Sequence, residues 1–440
     1  MAAEKVCVIG AGSSGIVACQ VLNARRIRFD CFEKGSQVGG NWRYENDNGM
    51  SSAYRSLHIN TSRRVMAFKT LPMPDHYPDY PNHFQMAAYF DEYVDHFGLR
   101  EKIRFRTEVL SVEPVEGEWE VTVESVAGER ESHRYRAVLV ANGHHWDPRW
   151  PEPAFPGADE FSGEQLHAHH YREPDVLPGK RVLVLGLGNS AVDIAVESSR
   201  IADATFLAAR RGAYVIPKYI NGKPIDELSN PITSMLPLAV QRFFATRALG
   251  VASAADPTAY GLPKPDHKLF QAHPTVSSEL LPRLGHGDIT PKPNIDRFSG
   301  GRTVRFADGS EEEIDLVVYC TGYRITFPFF RPDVFSALDN RLPLYRRVVP
   351  VERPGLYFIG FIQPLGPIMP LAEAQCEWVA DLLAGRVSLP PGTEMSSEIE
   401  SEERKMRKRY VASKRHTVEV DFYPYLREIR RERKPAAQPV

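Results

Sequence analysis
The chain has 440 residues, 42% hydrophobic and 25% charged, with a formal net charge of -2, the profile of an ordinary globular protein of roughly two to three domains. Near-neutral balance excludes charge-driven attachment of the whole molecule to nucleic acid or an anionic membrane. Five cysteines (Cys7, Cys19, Cys31, Cys320, Cys376), with no CxxC pair, argue against a disulfide framework or a cysteine zinc site, and the absence of a signal-peptide layout or a membrane-length apolar run predicts a cytoplasmic location.

In chain order, Lys5 to Ile9 reads as a short strand ending at Gly10, and Ser14 to Ala24 follows with helical spacing of Ile16, Val17, Val21 and Leu22. Arg104 to Val123 and Tyr135 to Ala141 read as strands of an added meander. Trp146 to Pro156 (WDPRWPEPAFP) is too proline-rich for a regular element and reads as a linker. A second strand, glycine turn and helix runs from Lys180 through Gly186 into Ala191 to Ser198. Tyr219 to Pro265 is weakly periodic and reads as an insertion of helices and loops. Arg302 to Phe306, Asp308-Gly309 and Asp315 to Tyr319 predict a hairpin and a returning strand; Tyr357 to Phe361 is a further strand and Ala372 to Leu383 a helix. From Glu394 the chain is polar and rich in arginine and lysine, which reads as a solvated helical extension and frayed tail.

The first turn, Gly10-Ala11-Gly12-Ser13-Ser14-Gly15, is a GxGxxG sequence between a strand and a helix. Its glycines permit the tight turn, the approach of a pyrophosphate to the backbone and close packing of helix on strand, while the helix N-terminus offers N–H groups to phosphate. The strand Arg28 to Phe32 ends at Glu33, followed by Lys34, about twenty residues on, where a carboxylate can accept from both ribose hydroxyls of an adenosine. The second turn, Gly186-Leu187-Gly188-Asn189-Ser190-Ala191, is followed by the strand Thr205 to Leu207 and by Arg210-Arg211. Guanidinium groups where the first module has an acid suit a 2′-phosphate and favour NADPH over NADH, the alternative being a solvated arginine pair. The fold class expected is α/β with two Rossmann-like dinucleotide-binding domains, for FAD and NADPH, the second inserted into the first. Two such modules fit reductases, dehydrogenases and oxygenases alike.

The stretch FSGEQLHAHHY, Phe161 to Tyr171, crowds His167, His169 and His170 without a nearby cysteine or carboxylate cluster, so no metal is assigned. Phe161-x-Gly163-xxx-His167-xxx-Tyr171 resembles instead the FxGxxxHxxx(F/Y) fingerprint of class B flavoprotein monooxygenases, placed as there just before the second turn. Val38-Gly39-Gly40-Asn41-Trp42, Tyr54-Arg55-Ser56-Leu57-His58-Ile59-Asn60-Thr61, Cys320-Thr321-Gly322-Tyr323 and Gln363-Pro364-Leu365-Gly366 extend the resemblance over most of the chain. It is similar, in particular, to a flavin-containing monooxygenase, with an insertion like that of the animal enzymes but without their apolar C-terminal anchor.

The resemblance implies FAD and NADPH as cofactors, a C4a-hydroperoxyflavin as oxidant, and oxygenation of an amine or sulfide by O2. It implies Asn60 as the active-site residue, Tyr54 as a contact to the nicotinamide nucleotide, and Gly40, Asn41, Trp42, Thr61 and Gln363 as flavin-lining, with Tyr323 also at the cofactors. Gly186, Gly188, Asn189 and Ser190 would meet the NADPH pyrophosphate and Arg210 and Arg211 its 2′-phosphate. His167 would be a hydrogen-bonding linker residue. The domains implied are 1–155 and 319–393 for FAD, 156–318 for NADPH with the insertion at about 219–265, and a charged extension over 394–440. A homodimer without nucleic-acid or membrane partners is expected. A Baeyer–Villiger enzyme acting on ketones, whose fingerprint usually has tryptophan where this chain has Tyr171, and a non-catalytic NADP(H)-sensing flavoprotein remain as alternatives.

Overall fold
The computed structural model describes residues 4–251, 257–409 and 417–434. Residues 252–256 of the expected insertion and 410–416 and 435–440 of the expected extension lie outside them. The chain divides into two compact units, Met1–Ala53 with Thr61–Asp147 and Arg324–Val440, and Tyr54–Asn60 with Pro148–Tyr323. One passage between them, at Asp147/Pro148, falls in the proline-rich stretch.

The first unit is built on a five-stranded parallel sheet ordered Leu356–Phe358, Ala137–Val140, Val6–Ile9, Phe29–Phe32, Ile103–Arg104. Val6–Ile9 and Ala137–Val140 are apolar and buried throughout, as strands covered on both faces must be. That is why Ala137–Val140 joins this sheet and not the meander to which the sequence assigns it. The meander itself is antiparallel, Thr107–Val115, Glu118–Ser125 and Arg130–Tyr135. A core rich in Phe327, Phe329, Phe330, Phe335, Phe358 and Phe361 closes this unit.

The second unit repeats the plan with a parallel sheet ordered Thr290–Lys292, Ala204–Ala208, Arg181–Leu185, Leu316–Tyr319, Glu164–His167. The helix Asn189–Ser198 buries Ala191, Val192, Ile194, Ala195 and Val196 against it. The expected hairpin supplies the middle and one edge strand of a three-stranded antiparallel sheet, Ile295–Phe298, Thr303–Phe306 and Glu311–Glu313. The insertion contributes a short hairpin, Tyr219–Ile220 with Lys223–Pro224, and the helix Leu238–Val251, on which Phe243 and Phe244 are exposed.

The C-terminal segment departs from the expectation of a solvated extension. The helix Gly392–Arg409 is mostly exposed or half-buried, with Met395 buried. Beyond it, Glu419–Asp421 pairs in parallel with Gln363–Leu365, and the helix Phe422–Glu432 buries Tyr425, Leu426 and Ile429 and packs on Met369–Leu383. These three side chains form one helical stripe inside an arginine-rich sequence, enough to dock a helix whose average composition is polar.

Candidate functional site: two dinucleotide cradles
In the first cradle the strand Val6–Ile9 ends at Gly10 (φ +94), where a Cβ would stand 2.8 Å from the carbonyl oxygen of Ala141. At Gly15 a Cβ would collide with the carbonyl oxygen of Gly10, so helix and strand approach only without a side chain. Gly12, the N-cap of the helix Ser13–Ala24, differs: its nearest obstacle would be the Cα of Gly40, at 3.6 Å. A side chain at Gly12 would fill space beside the helix end. That end has no side-chain cap, which leaves its first amides for an anion. Gly39 donates its N–H to the Ala11 carbonyl at 3.0 Å, bringing Gly40, Asn41 and Trp42 against the turn.

Glu33 is 4% exposed, and both its oxygens are engaged: Oε2 accepts from the Ala11 N–H at 2.7 Å, and Oε1 from the Gly35 N–H at 2.7 Å and Asn48 Nδ2 at 3.1 Å. It therefore shapes the turn as well as standing where a ribose would lie; Oε2, with a single partner, keeps a lone pair for a ligand. Lys34 is exposed and pairs with Glu108 at 2.9 Å. The Asn41 Oδ1 accepts from the N–H and hydroxyl of Ser52, both at 2.8 Å, which fixes the orientation of its amide. Trp42 and Thr61 are half-buried, as is Gln363, whose N–H donates to the Val418 carbonyl at 2.8 Å. Just past the strand Ala137–Val140, Asn142 Oδ1 is buried without a hydrogen-bond partner, as is Thr326 Oγ1. Sequence reasoning passed over both; for Asn142 its position beyond a strand end, where α/β sheets bind ligands, was the available signal. Orphaned acceptors beside a glycine turn and an uncapped helix fit a bound dinucleotide.

The second cradle repeats the first. Gly186 has φ +134, with the Cys320 carbonyl oxygen 2.8 Å from the place of a Cβ, and Gly188 is the N-cap of an equally uncapped helix. Ser190 is exposed in its first turn. Asn189 is turned to structure, its Oδ1 accepting from the Val276 N–H at 2.9 Å. Past the strand Ala204–Ala208, Arg210 is exposed and forms no ion pair among the described residues, whereas Arg211 lies 3.4 Å from Asp266. The sign reversal between Glu33 and Arg210 is thus kept in space.

The segment Tyr54–Asn60 folds with this second unit. The Tyr54 hydroxyl donates to Asp193 Oδ2 at 2.5 Å, the Ser56 hydroxyl to Glu197 Oε2 at 3.1 Å, and the Tyr171 hydroxyl to the same Glu197 oxygen at 2.6 Å. Asp193 and Glu197, one turn apart on the helix of the second cradle, hold the stretch that ends at the half-buried Asn60. Burial, then the Asp193 charge, pushes the Tyr54 hydroxyl pKa well up, and burial raises that of Asp193. Sequence reasoning missed this acidic pair, whose i,i+4 spacing was visible but whose partners were not.

The buried His167 packs its ring on Trp150 and Tyr323, at 5.6 and 5.7 Å between centroids, and its Nδ1 accepts from the His169 N–H at 3.0 Å. Burial, then His169 and His170, lowers its pKa to about 4, so it is a neutral imidazole. Among the described residues no group of three or more His, Cys, Asp or Glu side chains is placed to hold a metal.

Two parallel-sheet units, each with a glycine turn and an open helix end, one answering to an acid and the other to an arginine, define a two-dinucleotide flavoprotein. Residues 3–437 match the family model described as FMO-like, flavin-binding monooxygenase-like. The chain is 38% identical over 445 residues to flavin-containing monooxygenase 5 of Oryctolagus cuniculus, covering 98% of this chain and 82% of that one. It is 33% identical to dimethylaniline monooxygenase [N-oxide-forming] 2 of Mus musculus, covering 97% and 82%. Among solved structures, the S-allyl-L-cysteine S-oxygenase of Allium sativum superposes with a TM-score of 0.75 at 26% identity, covering 99% and 89%. The chain belongs to the flavin-binding monooxygenase family: it is a monooxygenase with FAD and NADPH as cofactors. No helix among the described residues is long and apolar enough to cross a membrane.

Proposed function
We propose that this monooxygenase transfers one oxygen atom of O2 to a soft nucleophile, converting a tertiary amine to its N-oxide or a thioether to its S-oxide. Reduced flavin, when bound, supplies the activation of dioxygen. The chain's own residues bind and orient: the amides of Ser13, Ser14 and Gly15 take the FAD pyrophosphate, Glu33 the ribose, and the Gly40–Trp42 main chain with Thr61 and Gln363 the flavin. On the NADPH side, the helix end at Gly188, with Ser190, takes the pyrophosphate, Arg210 the 2′-phosphate, and Tyr54 and Tyr323 flank the nucleotide. Asn60 places its amide as a donor to the reacting centre. The observation that carries this reading is the anchoring of the Asn60 segment by Asp193 and Glu197 to the helix whose N-terminus forms the second cradle. The substrate class is supported by relatives named as N-oxide-forming and as an S-oxygenase.

FAD-loaded protein given NADPH in air should oxidise NADPH in step with formation of trimethylamine N-oxide or methyl phenyl sulfoxide. Lactone from cyclohexanone in excess of sulfoxide would transfer the assignment to Baeyer–Villiger chemistry. Product from neither the amine nor the sulfide would remove the proposed substrate class.

A further inference from the structure
We infer that the segment 417–434 is a strap that holds the flavin-side loop Gly360–Gly366 in place, with Gln375 and Tyr425 as positioning residues for FAD. The main chain of Ile359 still pairs with the sheet, its N–H donating to Val140 O at 2.9 Å. At Gly360 (φ +78) the chain turns away, and a Cβ there would collide with the hydroxyl of Ser14, in the first turn of the FAD helix. The Gly360 N–H donates to Gln375 Oε1 at 2.9 Å; Gln375 Nε2 donates to the Tyr425 hydroxyl at 2.6 Å, which donates to Arg346 O at 2.7 Å. Gln375 and Tyr425 are both buried, and every link has one donor and one acceptor, so the chain fixes the orientation of the glutamine amide.

A second line of contacts reaches the other end of the loop. Gln363–Leu365 runs parallel to Glu419–Asp421, and a Cβ at Gly366 (φ +135) would stand 2.9 Å from Phe422 Cβ. The strap is pinned by Arg409 to Asp421 and by Arg433 to Glu377 and Asp381. One end of the loop carrying Gln363 thus rests directly on residues 417–434 and the other reaches them through Gln375, while its first residue lies against Ser14 in the helix turn. The flavin-lining part played by Gln363 rests on the function proposed above; the contact with Ser14 does not.

The test is FAD affinity, measured by fluorescence on apo-protein reconstituted below its melting temperature, so that only folded chains are compared. Tyr425→Phe deprives Gln375 Nε2 of its acceptor and should raise the FAD dissociation constant roughly tenfold, equivalent to about 1.4 kcal/mol. Gln375→Leu, which also strands the Gly360 N–H, should raise it further and shift the visible flavin spectrum. Wild-type FAD dissociation constants in both variants, whatever their melting temperatures, would overturn the inference. Gln363→Ala separates the two readings: unchanged affinity there, with weakened affinity in Tyr425→Phe, keeps the strap and removes Gln363 from the flavin.

Discussion

Glu33→Gln tests whether the acid at the end of the second strand serves the ribose alone or the glycine turn as well. Its two oxygens accept from two main-chain donors on opposite sides, Ala11 N–H and Gly35 N–H, each at 2.7 Å, with Asn48 Nδ2 at 3.1 Å as a third partner. A glutamine must present an NH2 group to one of the two main-chain donors. The cheaper orientation sacrifices Ala11, because the other loses both Gly35 and Asn48. A hydrogen bond to a charged group contributes about 1.5–3 kcal/mol, and a stranded buried N–H costs about 1–3 kcal/mol; the two overlap, so a net loss of about 3 kcal/mol is expected. For a unit of this size that corresponds to a fall in melting temperature of roughly 6–12 °C. The assay is thermal unfolding of the FAD-free protein followed by tryptophan fluorescence, with FAD affinity measured separately. An apo-protein melting with the wild type while binding FAD weakly would refute the structural role and leave only the ribose contact.

Tyr54→Phe removes the bond that opposes the burial-driven rise in the Asp193 pKa. A carboxyl whose folded pKa is raised contributes stability below its unfolded value and loses it as pH rises through the folded one, so the variant's deficit should be small near about pH 4 and grow toward neutrality; equal deficits at both ends of that range would count against it. Arg210→Ala should raise KM for NADPH by about 1–3 kcal/mol of binding while sparing NADH, and Arg211→Ala should do less because Arg211 already faces Asp266; equal effects on both nucleotides would remove the 2′-phosphate contact. Asn60→Leu should leave anaerobic flavin reduction by NADPH largely intact while diverting the oxygen consumed into hydrogen peroxide, and full coupling to product would remove Asn60 from the reacting centre.

The two cradles were legible because their chemistry is local. A glycine that must accept φ +94 and a helix end a few residues later are written in one short stretch. What escaped was long-range or masked by averages. Glu33 could be placed by counting from the turn, but its service to the Ala11 and Gly35 amides depends on how the loop to Asn48 closes, which has no sequence period. The strand Ala137–Val140 follows the meander directly in sequence, and only burial on both faces places it in the parallel sheet. The charge of the C-terminal segment concealed Tyr425, Leu426 and Ile429, three side chains at helical spacing whose burial outweighs the surrounding arginines.

The same contrast bears on how Asn60 is placed. Tyr54 and Ser56 reach their carboxylates across 139 and 141 residues of chain, yet those carboxylates are successive turns of one helix, so the two bonds act as a single clamp. Burial pushes up both the Tyr54 and the Asp193 pKa values, which keeps the proton in the pair. Glu197 is shared between Ser56 and the Tyr171 hydroxyl, which ties the last residue of the FSGEQLHAHHY fingerprint to the same point. A tryptophan at 171 would place an indole N–H, not a phenol, against that carboxylate, and the Ser56 bond would have to adjust to a larger ring. The fingerprint's last position therefore acts on the segment Tyr54–Asn60 through Glu197, a physical route by which one aromatic choice bears on how that segment is held.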